Sequence, residues 1–348
     1  MANENLNERK IKFAVVGVGG IGESHIYGIS KVASASLAAV CDIDENYGKK
    51  AAAANGLDKY YTNFYEMLDN EPIDVIIVAT PDQSHCEYTV AALKAGKHVI
   101  CEKPMAMTIE ECKEMIQAAK ASEKLLMIGQ VCRKAPGFVA AKNLVDSGEI
   151  GELFFVESEY AHDYARIPGK GGWRLDAVRL RQPVIGGGCH AIDLLRWIAG
   201  NPSETFAYAN RKMLTSWPVD DCTAAVLKFP NGVIGKIMVS VGCKRTYTMR
   251  TVLYGSKGTI ITDNTSPEIT LQKEKINSDG TAAIETIMIP VDINNHNIAA
   301  EIEEMCDAVI NNKAVLTDGT EGASTIAVGC AIVKSAETGE KVNIEYDF

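Results

Sequence analysis

The stretch Ile11-Lys12-Phe13-Ala14-Val15-Val16-Gly17-Val18-Gly19-Gly20-Ile21-Gly22 decides the fold. Its first half is short, apolar and β-branched, the composition of a buried strand. Its second half is a glycine cluster spaced G-x-G-x-x-G, followed by a helical pattern to about Ser30. In that setting each glycine has its own task. Gly17 permits the tight turn, Gly19 lets backbone N–H groups approach a pyrophosphate, and Gly22 allows close helix–strand packing. Gly20 and Ile21 open the helix, whose N-terminus adds partial positive charge for the same anion. A second strand, residues 36–41, ends at Asp42, 20 residues after Gly22. A carboxylate there can hold both ribose hydroxyls and repel a 2′-phosphate. Ile43 and Asp44 follow it rather than an arginine, so the pattern favours NAD over NADP.

Working outward, further strands are expected at 59–61, 75–79, 98–101 and 125–128, with helices between them. Two of those helices begin with capping boxes, Ser84 with Glu87 and Thr108 with Glu111. The second also carries Cys112, Met115, Ile116 and Ala119, the stripe of one buried face. Apolar strands separated by helices mean a parallel sheet covered on both faces. Residues 1–129 therefore read as an α/β Rossmann domain, a doubly wound parallel sheet that binds a dinucleotide.

From residue 130 the pattern changes. Strands are expected at 152–160, 205–211, 222–229, 233–241, 250–254, 258–262, 268–273 and 284–291, several in sequence without a helix between them. Pro230-Asn231-Gly232 is a hairpin signal. Helices fall at about 136–147, 189–199, 296–311 and 319–337. Residues 130–348 read as an α+β domain built on a mostly antiparallel sheet, which binds substrate and carries oligomerisation. The two domains are expected to enclose a cleft.

The whole chain has 348 residues, with 35 Lys+Arg against 45 Asp+Glu and a formal charge of −10. Its 47% hydrophobic and 23% charged content excludes disordered, collagen-like and disulfide-scaffold classes. The acidic balance argues against nucleic acid, whose affinity comes from Lys and Arg on phosphates. No apolar run reaches the roughly 18–20 residues of a membrane helix, and Met1 to Lys10 is polar, unlike a secretory signal. The ten cysteines include no C-x-x-C pair and show no metal spacing. They read as buried reduced thiols in a cytoplasmic protein.

Beyond the strand at 98–101, Glu102-Lys103-Pro104 emerges at the carboxyl edge of the sheet, where ligands of open α/β sheets bind. Together with Ala79-Thr80-Pro81-Asp82, Ser84-His85 and Ala92-Leu93-Lys94-Ala95-Gly96-Lys97-His98-Val99, this segment resembles the glucose–fructose oxidoreductase/inositol dehydrogenase (Gfo/Idh/MocA) family. The likeness continues through Leu144-Val145-Asp146-Ser147-Gly148-Glu149-Ile150-Gly151, Trp173-Arg174, Gly186-Gly187-Gly188, Asp318-Gly319 and Ser335-Ala336-Glu337-Thr338-Gly339. The resemblance implies NAD(P)-dependent oxidation or reduction of a sugar, cyclitol or related polyol. It implies that Thr80, Pro81, His85, Glu102, Lys103 and Gln130 join Gly17, Gly19, Gly20, Ile21, Gly22, Asp42 and Ile43 around the cofactor. It also places Lys103 at the reacting hydroxyl and implies a cis Lys103–Pro104 bond.

Many members use a Lys, an Asp and a His, with the Asp four residues before the His and a second Asp three after it. His190-Ala191-Ile192-Asp193 matches the latter half, but four residues before His190 stands Gly186. Either His190 works without that acid, or Asp193, Asp176 or Asp163 takes its place. A helix N-terminus disfavours imidazolium at His190, whereas Asp193 one turn along favours it. Tyr160, His162, Trp173 and Arg174 are candidate substrate contacts; Arg179 and Arg181 read as solvated loop charge. The expected chemistry is proton removal from a secondary hydroxyl by His190 while Lys103 stabilises the oxygen, with no metal. Redox-assisted lyase or glycoside cleavage on tightly held NAD is the alternative, and a non-catalytic dinucleotide sensor a more distant one. Apolar residues on both faces of 233–241 predict a homodimer or homotetramer paired through the C-terminal sheet.

Overall fold

The computed structural model describes residues 10–294 and 296–348. They form two sheets and divide into two compact units. One unit holds the chain up to Gln130 together with Asn297–Ala323; the other holds Val131–His296 and Ser324–Asp347.

The first unit is built on five parallel strands: β1 (Ile11–Val16), β2 (Ala35–Cys41), β3 (Val75–Val78), β4 (His98–Cys101) and β5 (Leu126–Ile128). Their order is β2-β1-β3-β4-β5. Val75, Ile76, Ile77 and Val78 are all fully buried, as continuous apolar strands under helices on both faces must be. Helices Gly20–Lys31, Glu45–Ala54, Phe64–Asn70, His85–Lys94 and Ile109–Ser122 connect them. Because every strand runs the same way, the residue after each strand lies on one common edge.

Two local expectations need correction. Residues 59–61 contribute only an isolated bridge from Tyr61 to Cys41, so 98–101 is the fourth strand along the chain. Ser84 makes no side-chain cap, because Asp82–Ser84 is itself a turn of 3-10 helix running straight into His85. The Thr108–Glu111 box forms in both directions, and Asp44 caps the helix after β2. The segment Asn297–Ala323 is held to this unit by reciprocal 2.7 Å bonds, Ile128 N–H to Thr317 O and Thr317 Oγ1 to Ile128 O. A Cβ on Gly28 would sit 2.8 Å from Ile298 Cγ2, so helices Gly20–Lys31 and Ile298–Asn311 meet closely there.

The second unit carries a nine-stranded sheet: β6 (Leu153–Ala161), β7 (Glu204–Asn210), β8 (Cys222–Lys228), β9 (Ile234–Ser240), β10 (Thr248–Gly255), β11 (Gly258–Asp263), β12 (Glu268–Ile276), β13 (Ala282–Pro290) and β14 (Val342–Asn343). The order is β13-β12-β11-β10-β6-β9-β8-β7-β14, antiparallel except for the β6–β9 pair. Gly232 takes φ 86° in the expected β8–β9 hairpin, where Phe229 N–H bonds Val233 O at 3.0 Å. One face packs inward through Val156, Ser158 and Tyr160 of β6, and the helix Cys189–Ala199 lies on that face. A Cβ on Gly188 would fall 2.6 Å from Val239 Cγ2, so the start of this helix hugs β9.

Candidate active site

Turns that follow the five parallel strands gather the first set of candidates. Gly17 follows β1 with φ 84°, and a Cβ there would meet Ala79 O at 2.7 Å. A Cβ on Gly22 would overlap Gly17 O at 2.0 Å, so both positions require glycine on steric grounds. Gly19 and Gly20 differ: a Cβ at either would meet nothing within 4 Å. That open space, at the N-terminus of the helix Gly20–Lys31, fits an approaching pyrophosphate. Asp42 follows β2 and accepts Val18 N–H at 3.0 Å and Asp44 N–H at 2.9 Å. Its carboxylate therefore braces the glycine turn while facing the same edge. Thr80 follows β3, and its Oγ1 is buried without a hydrogen-bond partner, the condition of a polar atom awaiting a ligand. These features fit a dinucleotide.

Glu102, Lys103 and Pro104 follow β4, with a cis Lys103–Pro104 peptide. Glu102 accepts Lys103 N–H at 3.1 Å and lies 2.8 Å from His25 Nε2, both side chains being buried. Burial pushes the Glu102 carboxyl up, but the hydrogen bond and charge of His25, with Lys103, bring it down to about 2. Gln130 follows β5 and is buried. His25 was not anticipated; its one signal was its place one turn beyond Gly22 on the dinucleotide helix.

In the second unit, His190 occupies the first turn of the helix Cys189–Ala199 and is 4% exposed. Its ring stacks on Tyr160 of β6 at 6.2 Å and on His296 at 5.9 Å. Tyr160 and Tyr164 share a hydroxyl hydrogen bond of 3.0 Å, and burial, with Tyr164 beside it, pushes the Tyr160 phenol well up. Burial, with Arg174 beside it, lowers His162. Arg174 lies over Trp173 at 4.5 Å and Tyr164 at 5.5 Å, so Tyr160 and Arg174 reach the same aromatic group.

The three candidate acids bond elsewhere. Asp193 gives its carboxylate to Arg133, at 2.9 and 2.6 Å, with Arg196 at 3.6 Å and Thr325 Oγ1 at 3.3 Å. Asp163 caps Ala165 and pairs with Lys244 at 3.1 Å. Asp176 caps Val178 and Arg179. The Cys132 thiol lies 3.2 Å from His190 Nδ1. No local motif marks Cys132 among the ten cysteines; a contact across 58 positions is invisible to spacing. Arg181 is also reassigned: it is 5% exposed, not solvated, and its guanidinium fills the hollow over Gly186, where a Cβ would lie 2.2 Å from Cζ. All ten cysteines are free, and no group of three or more His, Cys, Asp or Glu poised for a metal occurs among the described residues. No helix among them is long and apolar enough to cross a membrane.

Comparison with known proteins agrees with both units. Residues 11–130 match a family model described as an oxidoreductase family with an NAD-binding Rossmann fold, and residues 138–261 match a GFO/IDH/MocA C-terminal domain. A 1,5-anhydro-D-fructose reductase from Ensifer adhaerens is 27% identical over 346 residues, covering 96% of this chain and 98% of the relative. An inositol 2-dehydrogenase from Saccharopolyspora erythraea is 31% identical over 254 residues, 72% of each chain. A solved levoglucosan dehydrogenase in complex with NADH shares the fold, with a TM-score of 0.88 at 23% identity over 97% of this chain and all of that one. The chain belongs to the Gfo/Idh/MocA family, oxidoreductases built on an NAD-binding Rossmann fold.

Proposed function

We propose that this chain moves a hydride between nicotinamide and the secondary hydroxyl carbon of a sugar, cyclitol or related polyol. The observation that carries the reading is the convergence on one sheet edge of the open Gly19–Gly20 turn, the Asp42 carboxylate and Lys103. The names of the relatives, an anhydrofructose reductase and an inositol dehydrogenase, support the substrate class. Gly17, Gly19, Gly20, Ile21, Gly22, Asp42, Ile43, Thr80, Pro81, Glu102 and Gln130 hold the dinucleotide. The Asp42 carboxylate, with no arginine after it, favours NAD over NADP. When bound, the nicotinamide accepts or returns the hydride.

Lys103 donates a hydrogen bond to the substrate oxygen and stabilises the negative charge that grows there. His190 takes the hydroxyl proton. Tyr160, Trp173 and Arg174 contact the substrate. Asp193 serves by holding Arg133 rather than by moving protons. The Cys132 thiol at His190 Nδ1, with Gly186 four residues before His190, favours a second reading, redox-assisted elimination or glycoside cleavage on retained NAD. The outward sheet face, where Tyr208, Val226 and Ile234 are exposed, pairs with a second copy of the chain. Ten free thiols suit a reducing, cytoplasmic setting.

The test is a polyol, sugar and glycoside panel followed by NADH absorbance, repeated with Lys103→Ala. Net NADH formation supports the dehydrogenase; product without it supports the second reading. Lys103→Ala is expected to abolish turnover while NAD still binds, and unchanged turnover would remove Lys103 from the reacting oxygen.

A further inference from the structure

His85 opens the helix His85–Lys94 and is 1% exposed. Its Nδ1 lies 2.8 Å from Pro104 O, and its Nε2 lies 3.0 Å from Thr80 O. A carbonyl oxygen only accepts hydrogen bonds. A neutral imidazole has one N–H and one lone pair, so it would satisfy one carbonyl and press its lone pair against the other. Both contacts are attractive only when both nitrogens carry hydrogen. The Cys101 thiol also reaches the ring, but an S–H turned toward a bare nitrogen would still leave that nitrogen's lone pair facing a carbonyl oxygen.

We propose that His85 is a doubly protonated imidazolium in the folded protein, and that in this form it is the positioning residue for Lys103. The second half rests on the role proposed above for Lys103; the first does not.

Strands β3 and β4 pair up to Val78 and Cys101, and Glu102 N–H still bonds Val78 O at 2.9 Å just past that rung. His85 ties the two continuations further on. One nitrogen donates to Thr80, beyond β3, and the other to Pro104, beyond β4. The Lys103 backbone is then held on both sides, its own N–H by Glu102 and the next carbonyl by His85. Hydrogen bonds from a charged donor are shorter and about twice as strong as neutral ones, which suits a tie two bonds wide. A buried cation needs compensation, and the charge of Asp82, 5% exposed on the preceding turn, acts on the ring in that sense. Burial works to lower the His85 pKa, but Cys101, Asp82 and the Pro104 carbonyl lift it to about 10.

Two measurements on the full chain test this. The first is long-range nitrogen–proton NMR of ring-labelled histidine at about pH 8, above the ordinary histidine range, with His85 assigned by its loss in His85→Gln. Both ring nitrogens of His85 are expected at protonated shifts; a lone-pair nitrogen on His85 would overturn the charge assignment. The second is hydrogen exchange by mass spectrometry in His85→Gln, or in His85→Asn should the first variant fold poorly. Amides of the loop after β4, residues 102–106, are expected to exchange at least about tenfold faster while those of β4 itself keep their protection. Equal acceleration in β4, or none in the loop, would overturn the positioning role. Neither readout needs a substrate, so a failure of the Lys103 turnover test remains distinguishable from a failure here.

Discussion

Asp193→Asn separates a structural carboxylate from a catalytic one. Asp193 and Arg133 side chains are each 3% exposed and share a two-pronged contact of 2.9 and 2.6 Å. Arg196, also buried, stands 3.6 Å from the same oxygen and is shared with Thr325 Oγ1 at 2.8 Å. Asparagine preserves the shape but removes the charge that compensates these guanidinium groups. Breaking a buried pair from one side costs about 3–5 kcal/mol, mostly the burden of the charge left behind. For a unit of this size each kcal/mol moves Tm by about 2–4 °C, so the expected drop is about 6–20 °C. The assay is thermal unfolding followed by circular dichroism, read beside turnover at a temperature where the variant stays folded. The double variant Arg133→Met/Asp193→Leu should lose less than Asp193→Asn alone, because an apolar pair removes both charges. A Tm shift below about 3 °C together with lost turnover would refute the structural assignment and return Asp193 to the chemistry.

Other outcomes follow from the same geometry. Gly19→Ala should leave Tm unchanged and weaken dinucleotide binding at least about tenfold by calorimetry, because its Cβ meets no protein atom but enters the open turn. Gly17→Ala should instead destabilise the fold by more than about 2 kcal/mol in urea titration, since its φ is 84° and Ala79 O is 2.7 Å from the new Cβ. The Glu102 carboxyl is held at about 2 against an ordinary 4.5, so its pairing with His25 stabilises the fold fully above pH 4.5. That contribution, about 3 kcal/mol, fades as pH falls through about 2. Denaturant titration should show the gap between wild type and Glu102→Gln narrowing over that window. Val226→Lys, on the outward sheet face where Val226 is 53% exposed, should yield a smaller species by light scattering at micromolar concentration. An unchanged mass would move the subunit interface elsewhere.

The first unit was legible because its signals are local. Glycine at 22 is dictated by the Gly17 backbone five residues away, glycine at 17 by its own φ of 84°, and Thr108 with Glu111 closes a box within one turn. Its active edge was legible too, since parallel strands place whatever follows them on one side. The misreadings have physical causes. Residues 59–61 carry strand-like composition but find a partner at one position only. Ser84 and Glu87 have cap spacing, but a preceding 3-10 turn places Ser84 at φ −109° and ψ −1°, away from the cap conformation.

What the sequence determined by itself was the class of chemistry: the glycine turn, the acid after β2 and the Glu-Lys-Pro element that together point to a nicotinamide enzyme. Only the tertiary structure decided which side chains serve which neighbour. Asp193 sits three residues from His190, on the face a helix repeat predicts, yet a guanidinium 60 positions away captures it. Cys132 reaches His190 across 58 positions. His85 lies between two carbonyls that belong to different strands. Charge and hydrogen-bond partners are chosen by distance in a low-dielectric interior, where an unmatched group is costly. That choice is made among all residues the fold brings near, and spacing along the chain does not record it.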